Sequence, residues 1–163
     1  MALRRFLSSP TGRLLGWLAL VFAVAALGAA SSFDAPVFYA ALVKPRWAPP
    51  AWVFGPAWSV LYPMMAVAVW RVSRGPGTHR RAIALFVAQL LANGLWSWLF
   101  FGWRLGALAS VEVLVLLALI VATIVAFARI DRWAAWLMLP YVLWVTYASA
   151  LTWAVWLANP NLL

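Results

Sequence analysis

The chain has 163 residues, 67% of them hydrophobic and only 9% charged, and twelve Lys and Arg against three Asp and Glu leave a formal charge of +9. Its apolar residues gather in long runs, which excludes a water-soluble module, and its cations are dispersed at the ends of those runs, which excludes a nucleic-acid-binding patch. The absence of cysteine removes disulfides, thiolate nucleophiles and soft-metal sites together.

At about 1.5 Å per residue, roughly 20 apolar residues cross a hydrocarbon core of about 30 Å. Five runs meet that length, so the sequence predicts an all-α membrane protein: a five-transmembrane-helix bundle forming one integral membrane domain over 1–163. The first run, Leu14 to Ala30, follows Arg4 and Arg5 and ends in Ala-Ala-Ser-Ser (29–32), imitating a secretory signal. It exceeds the usual length of a signal's apolar region and reads as a retained helix over 14–30.

The longest connection, 31–51, contains Pro36, Pro45, Pro49 and Pro50 among aromatic residues. Residues with fixed φ suit an ordered cap better than a free linker, and such a cap would bring Tyr39 and Trp47 over the bundle mouth. The second helix, 54–72, carries Trp58 and Tyr62 at i, i+4. A turn with Gly-Pro-Gly at 75–77 follows, in which His79 is expected to be solvated.

The third helix, 81–101, places Gln89, Asn93, Trp96 and Phe100 on one face, and Ala84, Ala88 and Ala92 form a small-residue ridge. Amides inside a membrane either bridge helices or line a pocket, and the ridge suits close helix approach within the monomer or across a dimer. The Gly102–Arg104 turn is so short that the third and fourth helices must be antiparallel neighbours. The fourth, 105–128, contains one acid, Glu112, read as a protonated carboxyl bonding a neighbouring helix or as a proton-linked group. The fifth, 132–157, is capped by Asp131 and carries Trp136, Pro140, Trp144 and Tyr147 with Ala148 on one face.

Thirteen tryptophans are more than helix packing needs. Those near helix ends, Trp17, Trp70, Trp103, Trp133 and Trp156, fit interfacial belts. Trp58, Trp96, Trp136 and Trp144, on stripes of three helices, point to a pocket for a flat hydrophobic ligand. No nucleophile–base pair, metal cluster or phosphate-binding glycine loop stands in the sequence, which argues against an ordinary hydrolase or an ATP-driven pump.

Lys44-Pro45-Arg46-Trp47-Ala48-Pro49-Pro50 with Trp58, Gln89-xxx-Asn93-xx-Trp96 with Phe100-Phe101-Gly102, Pro140-Tyr141-xx-Trp144 and Asn159-Pro160 together resemble the TspO/MBR family. These are the tryptophan-rich sensory proteins and the mitochondrial translocator protein, or peripheral-type benzodiazepine receptor. The resemblance implies a homodimeric five-helix bundle that binds protoporphyrin IX or haem, without a covalently bound cofactor, along with isoquinoline carboxamides and benzodiazepines. Its aromatic walls fall on Tyr39, Trp58 and Trp144, its polar pair on Gln89 and Asn93, and its small helix-five residue on Ala148. The Leu/Val–Tyr–Lys/Arg pattern of cholesterol-binding members is incomplete here, because no Lys or Arg follows Tyr147. Where many members have Asn after Leu in helix five, this chain has Leu151-Thr152, which predicts an altered helix contact.

Three functions follow as expectations: a tetrapyrrole-binding sensor or regulator, light-dependent porphyrin degradation with Trp58 and Trp144 as redox-active indoles, and a small-molecule transporter using Glu112. The setting expected is a bacterial inner membrane.

The cations also orient the chain. Arg4, Arg5, Arg13, Arg71, Arg74, Arg80, Arg81, Arg129 and Arg132 fall on one side of the five crossings, and only Lys44, Arg46 and Arg104 on the other. The first set should face the cytoplasm, with the N-terminus inside and the C-terminus outside. A reporter active only outside the cytoplasm should work at the C-terminus and fail within 74–79; the reverse pattern would overturn this orientation.

Overall fold

The computed structural model describes residues 9–163; Arg4 and Arg5 lie outside them. Ser9 opens the first helix, its Oγ accepting the Gly12 amide at 3.0 Å while Pro10 sits where no amide partner is needed. This capping starts α1 (Pro10–Ala30) ahead of the apolar run that marks it in sequence. The Pro-rich connection contains α2 (Ala35–Ala41), and a 3-10 turn at Ala51–Val53 leads into α3 (Phe54–Ser73). α4 (Arg80–Ser97) ends in a widened, π-type turn over Trp98–Gly102, where the Trp103 amide reaches back to the Trp98 carbonyl at 2.7 Å. Then come α5 (Gly106–Ala128), α6 (Arg132–Leu137) and α7 (Leu139–Ala158).

Among the described residues, five segments are long and apolar enough to cross a membrane: α1, α3 with its leading turn, α4 with its wide turn, α5, and α6 with α7. No strand occurs among the described residues. The fifth segment is not one continuous helix. Pro140 lacks an N–H and its ring crowds the carbonyl four residues back, and the chain breaks at Met138. Met138 instead donates to the Ala135 carbonyl at 3.1 Å.

Following the principal contacts around the bundle, α1 meets α3, α3 meets α6 and α7, these meet α5, α5 meets α4, and α4 returns to α1. The antiparallel α4–α5 pair shares the most extensive contact, as its short turn requires. That turn places Arg104 at φ 55°, a left-handed conformation costing about 1–2 kcal/mol for a non-glycine residue, and its guanidinium lies 4.7 Å over the Phe38 ring. Along the axis, Met65, Phe86, Ile120, Met138 and Tyr141 are fully buried, with Phe86 stacked on Phe127. Leu27, Leu108, Leu143 and Leu157 are exposed on the outside, where acyl chains, not water, are the matching solvent. α1 and α4 approach closely because Gly28 and Gly94 lack side chains. A Cβ on Gly94 would stand 3.0 Å from Val24, and one on Gly28 would stand 3.3 Å from Ser97 Oγ.

Several polar side chains settle differently from their sequence reading. Both carboxylate oxygens of Glu112 are buried with no hydrogen-bond partner among the described residues, so the bridge to a neighbouring helix is not made. His79 is half-buried, with Nε2 enclosed against the glycine at position 75, because the turn folds back on itself. Thr152 bonds the Ala148 carbonyl of its own helix at 2.8 Å, satisfying its hydroxyl without another helix.

The connection 31–51 is tied down at several points. Asn159 accepts the Val43 amide and donates to the Val43 carbonyl, both at 2.9 Å, joining the cap to the end of α7. Lys44 Nζ caps α2 by donating to the carbonyls of Tyr39, Ala40 and Leu42. Phe38, Tyr39 and Leu42 are buried with Leu99, Phe100, Ala109, Leu151 and Val155 in a cluster distinct from the main core. Replacing Asn159 with Ala should accelerate amide exchange across 38–48 at least about fivefold, the loss expected for removing roughly 1 kcal/mol of hydrogen bonding, with α3–α5 unchanged.

At the opposite end Arg71 and Asp131 pair at 2.8 Å and 3.2 Å, and Asp131 Oδ1 also accepts the Trp133 and Ala134 amides at the start of α6. Burial alone would raise the Asp131 pKa. The Arg71 hydrogen bond, the two amides and the Arg71 charge outweigh it and hold the carboxyl below its ordinary value. The resulting stabilisation is present above the unfolded carboxyl pKa of about 3.9 and is lost as pH falls through the lower folded value. Asp131→Ala should cost about 1–2 kcal/mol in thermal or denaturant unfolding at neutral pH; Asp131→Asn, which keeps a cap, should cost less, and both variants should converge on the parent at acid pH.

Candidate functional site

Beneath the cap lies a cavity of about 360 Å³ between α1, α2, α3 and the end of α4. Its shape follows from residue size on each wall. α1 contributes only small groups, Ala25, Gly28 and Ala29, and so leaves room; Ala51 and Gly55 do the same where the second span begins. The remaining faces are aromatic: Tyr39, Phe54, Trp58, Tyr62, Trp96 and Phe101.

These rings hold one another in place. Trp58 and Tyr62, one helical turn apart on α3, stack at 4.8 Å with 25° between their planes. Trp96 stacks on Phe100 at 5.2 Å, and Phe101 meets it edge-on at 5.9 Å. Phe101 reaches the cavity because the wide turn carries an additional residue at the end of α4. Tyr39 closes the top, edge-on to Phe54, its Oη donating to the Pro49 carbonyl at 2.9 Å. Burial, with a smaller contribution from Tyr147, raises its pKa, so the phenol stays protonated and keeps that bond.

The lower wall turns polar. Tyr62 Oη donates to Asn93 Oδ1 at 3.1 Å. Deeper on α4, Gln89 is fully buried with neither amide atom hydrogen-bonded among the described residues. Trp96 Nε1 is likewise buried without a partner there. Of these groups only Trp96 belongs to the cavity lining, and its indole N–H, in a low-dielectric interior, calls for water or for a polar group of a ligand.

Of the residues singled out in sequence, Tyr39, Trp58, Tyr62 and Trp96 line the cavity, and Asn93 joins it through Tyr62. Trp144 stands behind Phe54, 5.9 Å from its ring, and does not reach the cavity wall. Trp47 packs on Tyr147 at 5.7 Å, and Tyr147 Oη donates to the Trp47 carbonyl at 2.9 Å, which ties the cap to α7 and leaves the Trp47 ring outside the cavity. Ala148 is half-buried on α7 and also outside the lining. Trp136 lies in α6 at the other end of the fifth span and is 60% exposed. Ala84 and Ala88 face outward, while Ala92 is half-buried against the core.

Sequence reasoning missed Phe54, which looked like the first apolar residue of a span and is instead the partition between the cavity and Trp144. It also missed the small residues of α1. The available signal was the density of Ala and Gly over 23–30, within which 25, 28 and 29 share one side of the helix.

A profile of the TspO/MBR family matches residues 17–157. The chain is 37% identical over 151 residues to a tryptophan-rich sensory protein of Cereibacter sphaeroides, covering 90% of this chain and 95% of that one. It is 40% identical over 144 residues to the protein CrtK of Rhodobacter capsulatus, covering 85% and 89% of the two chains. To the human translocator protein it is 36% identical over 127 residues, 75% of each chain. With a five-span bundle and a family match over most of its length, this chain belongs to the TspO/MBR family of membrane proteins.

Proposed function

We propose that this protein is a sensor or regulator that binds a tetrapyrrole, protoporphyrin IX or haem, in the cavity beneath the cap. The observation that carries the reading is the chamber itself: about 360 Å³, with six aromatic residues among its lining, one of which, Tyr62, is hydrogen-bonded to Asn93 behind it. Such a site suits a flat conjugated ring held by stacking and oriented by few hydrogen bonds. The lining contains no His, Cys or Met, and the Tyr39 and Tyr62 hydroxyls already donate to Pro49 and Asn93. Ring stacking rather than axial ligation of a metal would therefore hold the ligand. Lys44, Arg46 and Arg104 at this end of the bundle have the sign that complements propionate groups.

The reading includes a bacterial inner-membrane location with the cap facing outward, as the distribution of cations favours. It also includes a homodimer in which the outward-facing Ala84 and Ala88 ridge meets a second copy. The stacked Trp58–Tyr62 pair favours one second reading, light-dependent degradation of the bound porphyrin with dissolved dioxygen as the oxidant, since it sets two redox-active rings in the wall, able to donate electrons to the photoexcited ring. Loss of the porphyrin spectrum under illumination but not in the dark, abolished in Trp58→Phe, would favour that reading over sensing.

Binding should quench tryptophan fluorescence. Trp58→Ala should weaken protoporphyrin binding by about 1–3 kcal/mol, the burial energy of a large side chain, whereas Trp133→Ala, in which the lost ring is exposed, should leave the Kd unchanged. Equal losses in both variants would remove the cavity as the site. Pro49→Gly with Pro50→Gly should speed ligand release, because a looser cap must be ordered anew on binding. An unchanged off-rate would show that the cap is not a lid.

A further inference from the structure

At the end of the bundle opposite the cavity, a second hollow of about 290 Å³ opens between the last turn of α5 and the broken fifth span. Ile124, Ala128, Ala135 and Leu139 give it an aliphatic wall, with Trp136 along one side and Arg132 at its head. It exists because the helix break at Met138 separates α6 from α7 while Ala128 and Ala135 are too small to fill the gap.

Its charge is unbalanced. The guanidinium groups of Arg132 and the neighbouring Arg129 make no hydrogen bond or ion pair among the described residues. The nearby acid, Asp131, is already committed to Arg71 and to the first amides of α6. A cation therefore stands unpaired above an apolar groove, beside an indole that is 60% exposed. Arg–phosphate contact above and acyl-chain packing below is the arrangement that a phospholipid completes, and an exposed indole at headgroup depth strengthens it.

We propose that this hollow is a binding site for one anionic phospholipid, its phosphate on Arg132 and an acyl chain along Ile124, Ala128 and Leu139. The inference is independent of the tetrapyrrole reading, since the two sites lie at opposite ends of the bundle. Exposed Trp136, left unused by the cavity, acquires a role as the side wall of the lipid site.

Native mass spectrometry of the detergent-solubilised full-length protein, titrated with phosphatidylglycerol or phosphatidylcholine, tests the proposal. One phosphatidylglycerol should be retained in preference to phosphatidylcholine. Arg132→Gln should weaken its binding roughly fivefold, the worth of about one interfacial cation, and Arg81→Gln should not. Ala128→Phe, which fills the groove from its exposed side and keeps the charge, should weaken binding of phosphatidylglycerol too. Equal losses for Arg132→Gln and Arg81→Gln would mean diffuse attraction to anionic lipid and overturn the site. So would undiminished binding in Ala128→Phe. Displacement by glycerol phosphate as effective as by the whole lipid would reduce the hollow to a phosphate contact and overturn the lipid assignment. Closure of the hollow by a second copy of the chain, seen as a dimer that excludes the lipid and breaks up in Ala128→Phe, would overturn it as well.

Discussion

A backbone in hydrocarbon has no water to bond, so each segment that crosses the bilayer must satisfy its own amides and carbonyls. In this chain that constraint decides almost everything else. It makes the five spans helical, forces irregular backbone to the two ends, and leaves side-chain size as the means of shaping a cavity. The bundle opens its chamber by shrinking residues on α1, at Ala25, Gly28 and Ala29, and does not unwind a helix there. Where backbone geometry does depart from α, at Trp98–Gly102 and at Met138, alternative hydrogen bonds replace the lost ones.

The same constraint explains how tryptophan is used. Indole N–H groups are expensive to strand in an apolar interior. Trp17 donates to Ser73 Oγ, Trp70 to the Pro10 carbonyl, Trp98 to the Leu27 carbonyl and Trp153 to the Ser110 carbonyl, each joining two segments. These rings act as ties between helices as much as volume. Trp96 differs: it faces the cavity, and its buried N–H has no such partner among the described residues. The contrast within one residue type separates indoles that hold the bundle from one that is available to something bound within it.

Hydropathy and charge were enough to find the five spans, because an apolar run matched to bilayer thickness suits a membrane crossing and little else. Helix ends were harder, since capping is local: Ser9 with Pro10 extends α1 into residues that look polar. The inward stripe on α4 was legible because Gln89, Asn93 and Trp96 follow a single helical period. The stripe on the fifth span was not. A proline at position 140 breaks the helix, and periodicity carried across that break placed Trp136 with Trp144 although they belong to different helices. Cavity walls made of absent atoms, as on α1, leave a weak trace in composition, and Phe54 was hidden by its likeness to any residue that begins a membrane span.

The wide turn at the end of α4 has a consequence for how the two ends of that span are aimed. One additional residue in a turn advances the helical phase by about 100° relative to an uninterrupted α-helix. The orientation of Gln89 and Asn93, set by packing deep in the bundle, is thereby uncoupled from the direction in which Gly102–Arg104 leaves it. A straight helix would have to compromise between facing its amides inward and delivering the chain to α5 at the right azimuth. The phase step meets both requirements at once, and it makes the number of residues between Trp98 and Gly102 matter more than their hydrophobicity.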